Sequence, residues 1–286
     1  MREIILVLSL IFLCLPNAAL AQLSAPNKSG VAMGHLHYRV QDVDANKKFW
    51  VELGATPVAI GTKEGLELPG VIIMLEHADS SGGTEGSVVN HVGFRVPDVA
   101  QFMAKMKAAG FRVAPSTIAP KTVGNTFTPE GERIELLQDL SENVQFILDE
   151  GLQDRSAPQQ KMTVPIVLHH IHFDVPEGSV GDIKAWYVKV FGALPGKRYH
   201  YEAADLPGVN LNFSGVPASL APTKGRMLDH IGFEILNLEA FCKNLEAGGV
   251  KLDAPYKKLP SGMAFAFLTD PWGTRIELTE GLNQHR

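Results

Sequence analysis

The chain has 286 residues, 45% of them hydrophobic and 20% charged, with a formal net charge of −5. That length supplies enough material for two domains, and the composition is that of a globular protein rather than a disordered one. The mildly acidic balance, with no long basic run, excludes the electrostatic footprint of a nucleic-acid binder. The two cysteines exclude a disulfide framework.

The N-terminal stretch "MREIILVLSLIFLCLPNAALAQ" carries one arginine, a short apolar run and a small-residue ending. Ala19-Leu20-Ala21 fits a signal-peptidase site, so residues 1–21 read as a signal peptide and the exported chain starts at Gln22. The apolar run is short for a membrane span. A periplasmic or secreted location, with no membrane contact after cleavage, is therefore expected. Cys14 leaves with the signal, and Cys242 then has no intramolecular partner. Stability must come from packing, aided by any bound metal.

From residue 35 the elements recur. "HLHYRVQDVD" (35–44) alternates like a strand and runs into "DVDANKKFWVELGA" (42–55), whose apolar spacing is helical and which ends near a glycine. Further strands follow through "ELPGVIIML" (67–75). The cycle restarts at "NHVGFRVPDVAQFMAKMKAAGFRVAP" (90–115) and closes with "TPEGERIELLQDL" (128–140). Polar "GLQDRSAPQQKMTVP" (151–165) reads as a linker. The series then repeats: "HIHFDVPEGS" (170–179), the helical "GDIKAWYVKVFGA" (181–193), "DLPGVNLNF" (205–213), "DHIGFEILNLEAFCKNLEAGGVKLDAP" (229–255) and "TDPWGTRIELTEGL" (269–282). The unit is strand, helix, then about three strands, repeated four times in a tandem duplication. Asp270-Pro271-Trp272-Gly273 reads as the turn between the last two strands, with Trp272 as turn packing, and 205–209 reads as a tight loop at a pocket edge.

Side chains alternate between the faces of a strand. Leu36, Tyr38 and Val40 therefore oppose His35, His37 and Arg39, and Ile171, Phe173 and Val175 oppose His170, His172 and Asp174. Likewise Val92 and Phe94 oppose His91, and Ile231 and Phe233 oppose His230. In the late strands Ile134 and Leu136 oppose Arg133 and Glu135, and Ile276 and Leu278 oppose Arg275 and Glu277. The apolar face packs under the helices. The second face is rich in histidine, and histidine opens all four units, which mere solvation does not require. His169 precedes the strand proper and is expected to face out.

This pattern, over residues 30–282, resembles the vicinal oxygen chelate superfamily, the group of glyoxalase I, bleomycin-resistance proteins and extradiol dioxygenases. The resemblance implies an α+β fold of two tandem modules, each a pair of βαβββ units closing into a curved-sheet cup. Module 1 would span 30–150 and module 2 would span 166–283. It also implies one divalent-metal set per module, with ligands from the first and last strands: His35, His91 and Glu135 in the first, and His170, His230 and Glu277 in the second. The spacings are 56 and 44 residues in one and 60 and 47 in the other. Two imidazoles and a carboxylate suit Fe, Mn or Zn. The acidic fourth ligand of glyoxalase I has no counterpart, since Met74 and Asn212 stand near that place, and the additional His and Tyr of ring-cleaving dioxygenases have no clear match. His37 and His172 would lie beside the ion rather than on it, as an acid/base or as hydrogen-bonded pocket residues. Arg275, Asn210 and Asn212 would face the substrate, although Arg133 and Arg275 could instead pair with a neighbouring carboxylate. Asn210 and Asn212 make module 2 the more polar, and it is the favoured site.

The implied function is a metal-dependent enzyme acting on a small oxygenated substrate, as a lyase, isomerase or dioxygenase. The alternative is a cup that sequesters a small molecule without chemistry. N-terminal sequencing of exported protein should begin at Gln22; material still starting at Met1 would exclude the cleavage site.

Overall fold

A computed structural model describes residues 23–149 and 161–284. The expected signal peptide and most of the expected linker lie outside these residues. Unit 1 comprises β1 (Val31–Val40), α1 (Val43–Leu53), β2 (Thr56–Ile60), β3 (Lys63–Leu68) and β4 (Val71–His77). Unit 2 comprises β5 (Val89–Val96), α2 (Val99–Ala108), β6 (Val113–Pro115), β7 (Val123–Phe127) and β8 (Arg133–Gln138), followed by the short β9 (Phe146–Leu148). Unit 3 comprises β10 (Val167–Pro176), α3 (Val180–Phe191), β11 (Leu194–Arg198), β12 (Tyr201–Leu206) and β13 (Val209–Val216). Unit 4 comprises β14 (Leu228–Ile235), α4 (Leu238–Ala247), β15 (Leu252–Lys258), β16 (Ala264–Thr269) and β17 (Arg275–Glu280). The expected order of strand, helix and three strands is met in every unit.

Local chemistry sets the helix ends. Asp42 and Asp98 accept hydrogen bonds from the amides of Ala45 and Gln101, capping α1 and α2. Gly192 ends α3 in the left-handed conformation that lacks a Cβ penalty. Among the described residues no helix is long and apolar enough to cross a membrane.

The units pair in a way the repeat does not announce. One sheet has the order β15-β16-β17-β14-β1-β4-β3-β2, and the other β6-β7-β8-β5-β10-β13-β12-β11-β9. Unit 1 therefore shares a sheet with unit 4, and unit 2 with unit 3. At the seams β1 runs antiparallel to β14, and β10 antiparallel to β5. We call these the 1–4 cup and the 2–3 cup.

The apolar faces follow the opposite rule. Trp50 of α1 packs at 6.0 Å on Phe94 of unit 2, and Phe49 at 5.1 Å on Phe111. Phe191 of α3 packs at 4.9 Å on Phe233 and at 6.2 Å on Phe241, both in unit 4. Each half of the sequence thus packs its helices internally, while each cup is built from both halves. Most buried apolar side chains of all four units merge into one core, in which a fully buried aromatic contributes roughly 2–3 kcal/mol.

The Asp270–Gly273 turn is where the two patterns meet. Asp270 Oδ1 accepts from the amides of Trp272, Gly273 and Thr274, and Tyr187 of α3 donates to Oδ2 at 3.0 Å. Gly273 has φ +107°, and a Cβ there would lie 3.0 Å from Pro222. Gly273→Val should lower stability by roughly 1–3 kcal/mol. Thermal or denaturant unfolding measures it; an unchanged midpoint would mean the turn tolerates a side chain.

Candidate metal centre

The seam register decides which side chains meet. On β1 and β14, His35 lies opposite Gly232, and His37 opposite His230. On β10 and β5, His170 lies opposite Gly93, and His172 opposite His91. Because β17 pairs with β14, Glu277 enters the 1–4 cup; because β8 pairs with β5, Glu135 enters the 2–3 cup.

The expected ligand sets are therefore recombined. His170 does not join His230 and Glu277, and His35 does not join His91 and Glu135. The groups brought together are His35, His230 and Glu277 in one cup, and His170, His91 and Glu135 in the other. Residue types and strand positions are as expected; the partner strand is exchanged.

In the 1–4 cup, Nε2 of His35 and Nε2 of His230 lie 3.0 and 2.9 Å from the same Glu277 oxygen, Oε2. His230 Nδ1 lies 2.6 Å from Asp229 Oδ1, which also receives Arg275 Nη1. Burial opposes the charge on Glu277 and Asp229, but the hydrogen bonds from the histidines outweigh it and hold both well below the ordinary carboxylate range. Burial likewise disfavours the His230 imidazolium, yet Asp229 and Glu277 raise its pKa.

His37 stacks on His230 at 4.4 Å, and one ligand nitrogen from each of His35, His37 and His230 lies within 4.8 Å of the others. His37, like His172, is expected to lie beside an ion and not on it. The rings converge nonetheless, past a register shift between His37 and Tyr38. Nε2 of His37 is buried without a hydrogen-bond partner, 3.5 Å from Glu76 Oε2. Burial, with His230 and His35 alongside, pushes His37 down to about 3, so it stays neutral across the neutral range instead of titrating there. An orphaned buried nitrogen beside two further imidazoles and a carboxylate makes a group of donors that fits a divalent ion.

The 2–3 cup repeats the layout with different partners. Nε2 of His91 and Nε2 of His170 lie 3.2 Å apart, each 3.5 Å from Glu135 Oε2. His172 stacks on His91 at 4.9 Å and bonds Ser214 through Nε2 at 2.9 Å. Burial and the adjacent His91 and Arg133 keep His172 far below the ordinary histidine value, so it too is neutral. His169 does not face out: it is 5% exposed and bonded to His170, Nδ1 to Nδ1, at 2.9 Å, because the β10 register shifts between Leu168 and His170.

The cavities differ as well. The 1–4 cup opens on about 400 Å³, with Leu259, Met263, Phe265 and Phe267 as apolar walls above the histidines and Lys63 at its edge. The 2–3 cup holds about 80 Å³, lined by Tyr199, His200 and Tyr201. The roomier site is thus shared between the halves and does not belong to the second one.

Of the residues expected to face substrate, Asn212 is in the 2–3 cup, buried with Oδ1 unpartnered. Asn210 turns to the carbonyl of His169 instead. Arg275 stands behind His230, paired with Asp229 and stacked 4.4 Å over Phe267. Sequence reasoning passed over Asp229, Asn90 and the glycines of "HVGF" and "HIGF". A Cβ at Gly232 would lie 2.1 Å from ring atoms of His35, and one at Gly93 would lie 2.2 Å from the His170 ring. The repeated His-x-Gly-Phe was the available signal.

The comparisons agree with this architecture. The family model described as "Glyoxalase/Bleomycin resistance protein/Dioxygenase superfamily" matches residues 32–136 and 168–278. The chain belongs to that superfamily. Each matched segment contributes one unit to each cup. Glyoxalase I from Zea mays is similar in structure, with a TM-score of 0.65, 16% identity, and coverage of 88% of this chain and 93% of that one. A point mutant of the same maize enzyme superposes with a TM-score of 0.65 at 15% identity, covering 90% and 97%. At these identities the likeness concerns the fold. No curated protein matches the chain.

Gly232→Ala should drive His35 off the Glu277 side of the cup. Zn²⁺ titration of metal-stripped protein should show at least tenfold weaker binding with little change in secondary structure. Full retention of Zn²⁺ would mean that His35 is not a ligand.

Proposed function

We propose that the chain is an exported, divalent-metal-dependent enzyme of its superfamily, acting on a small oxygenated molecule in the 1–4 cup. The observation that carries this is the convergence of His35, His37, His230 and Glu277 on the floor of a cavity of about 400 Å³ with apolar walls. His35, His230 and Glu277 would hold the ion, and Fe, Mn or Zn suits that donor set. Such an ion supplies Lewis-acid polarisation of neighbouring substrate oxygens.

The protein's own groups divide the remaining work. Asp229 fixes the orientation of His230 through Nδ1. His37, neutral and with Nε2 buried and unpartnered, offers the ligand's oxygen a hydrogen bond rather than a strong base. Glu76, with its side chain 58% exposed, stands 3.5 Å from the same nitrogen. Phe265, Phe267, Met263 and Leu259 surround the apolar body of the ligand and exclude water.

The same apolar walls favour a second reading, a cup that sequesters an aromatic compound without chemistry. The two differ in their dependence on metal. Protein purified from the exporting compartment should contain a divalent ion, lost in Glu277→Gln, and catechol should bind the loaded protein far more tightly than the stripped protein in calorimetry. Equal binding to both forms would favour sequestration.

A further inference from the structure

The position just before the seam histidine differs between the cups. It is Asp229 before His230 and Asn90 before His91. We propose that this pair decides which cup takes the ion, so that the chain holds one divalent metal, on His35, His230 and Glu277, while the 2–3 cup satisfies its histidines without one. The inference rests on the metal reading above.

The reason lies in which ring nitrogen keeps a lone pair. A histidine binds an ion through one nitrogen while the other donates its hydrogen outward, most effectively to a carboxylate. His230 meets that condition. Asp229 Oδ1 stands 2.6 Å from Nδ1 and can only accept, so Nδ1 keeps its hydrogen, and Nε2, which hydrogen-bonds Glu277 here, is the nitrogen that would release its hydrogen to take an ion. The same carboxylate takes Arg275 Nη1, so that guanidinium has no need of the imidazole.

Asn90 reverses the arrangement. Its Nδ2 donates to Asp174 Oδ2 at 2.8 Å, which turns Oδ1 toward His91 and Arg133. An uncharged amide oxygen does not absorb the guanidinium as a carboxylate does. Arg133 Nη2 contacts both Asn90 Oδ1 and His91 Nδ1, the latter at 2.6 Å. His91 Nδ1 therefore faces an acceptor, Asn90 Oδ1 at 2.8 Å, and a donor, the Arg133 guanidinium at 2.6 Å; the guanidinium is the nearer and carries the full charge, which favours the tautomer with Nδ1 accepting and the hydrogen on Nε2. That hydrogen points at His170 Nε2, 3.2 Å away, and His170 Nδ1 can then donate to His169 Nδ1 at 2.9 Å. The result is a one-directional hydrogen-bond chain from Arg133 through His91 and His170 to His169. It uses the nitrogen that an ion would require, and it places a fixed positive charge behind it.

Co²⁺ binding to the metal-stripped full chain tests this, with stoichiometry from calorimetry and ligand environment from the visible absorption bands. Wild type should take one Co²⁺ per chain. Asp229→Asn should weaken that binding by roughly 10–100-fold, the usual effect of losing such a carboxylate. Asn90→Asp, combined with Asp174→Asn so that no two carboxylates face each other, should add a second equivalent of Co²⁺, and His91→Ala in that background should remove it. A damaged fold can lose an ion but does not gain one, so the added equivalent separates positioning from a structural effect. Two ions of equal affinity in wild type, an unchanged affinity in Asp229→Asn, or no second ion in the double variant would each overturn the inference and leave the metal reading standing. Wild type that binds no Co²⁺ overturns both.

Discussion

The antiparallel seam between β1 and β14, and its counterpart between β10 and β5, is the constraint on which everything else depends. Strand pairing is directional and register-specific, so once β1 lies on β14 the partner of His35 is Gly232 and no other residue. The glycine leaves a gap that the imidazole ring occupies, and the parallel neighbour β17 then delivers Glu277 to the same place. Three side chains spread across most of the sequence converge because backbone hydrogen bonds bring their strands side by side.

The two faces of each sheet obey different physics. The apolar face is non-directional and is satisfied by local partners, so α1 packs against the neighbouring unit 2, and α3 against unit 4. The polar face is organised by hydrogen bonds, and its strands find their edge partners in the other half of the chain. Core and cups therefore divide the sequence differently, and the protein is held together by both divisions at once.

Duplication leaves two cups of the same backbone, and small changes separate them. One has a carboxylate behind its seam histidine, an unpartnered imidazole nitrogen and a large apolar chamber. The other has an amide, an arginine against the ring and a small chamber closed by Tyr199, His200 and Tyr201. Charge compensation around buried groups explains most of this. His230, between Asp229 and Glu277, is pushed toward protonation in spite of its burial, while His172, buried with His91 and Arg133 alongside, stays neutral.

The sequence by itself determined the four βαβββ units, the positions of their helices and the faces on which the histidines and glutamates lie. Each of these follows from short-range periodicity: alternation in strands, helical spacing, capping aspartates and turn glycines. It also singled out the residue types of a metal set. Only the tertiary structure decided which histidines share a site, because strand partners as far apart as His91 and His172, or His35 and Gly232, leave no periodic trace, and four similar edges can pair in more than one way. Tertiary packing likewise showed that His37 converges with His35 and His230, that His169 is buried against His170, and that Arg275 serves Asp229 instead of a ligand. Those outcomes depend on where side chains from different strands end up in three dimensions, which spacing along a single strand cannot specify.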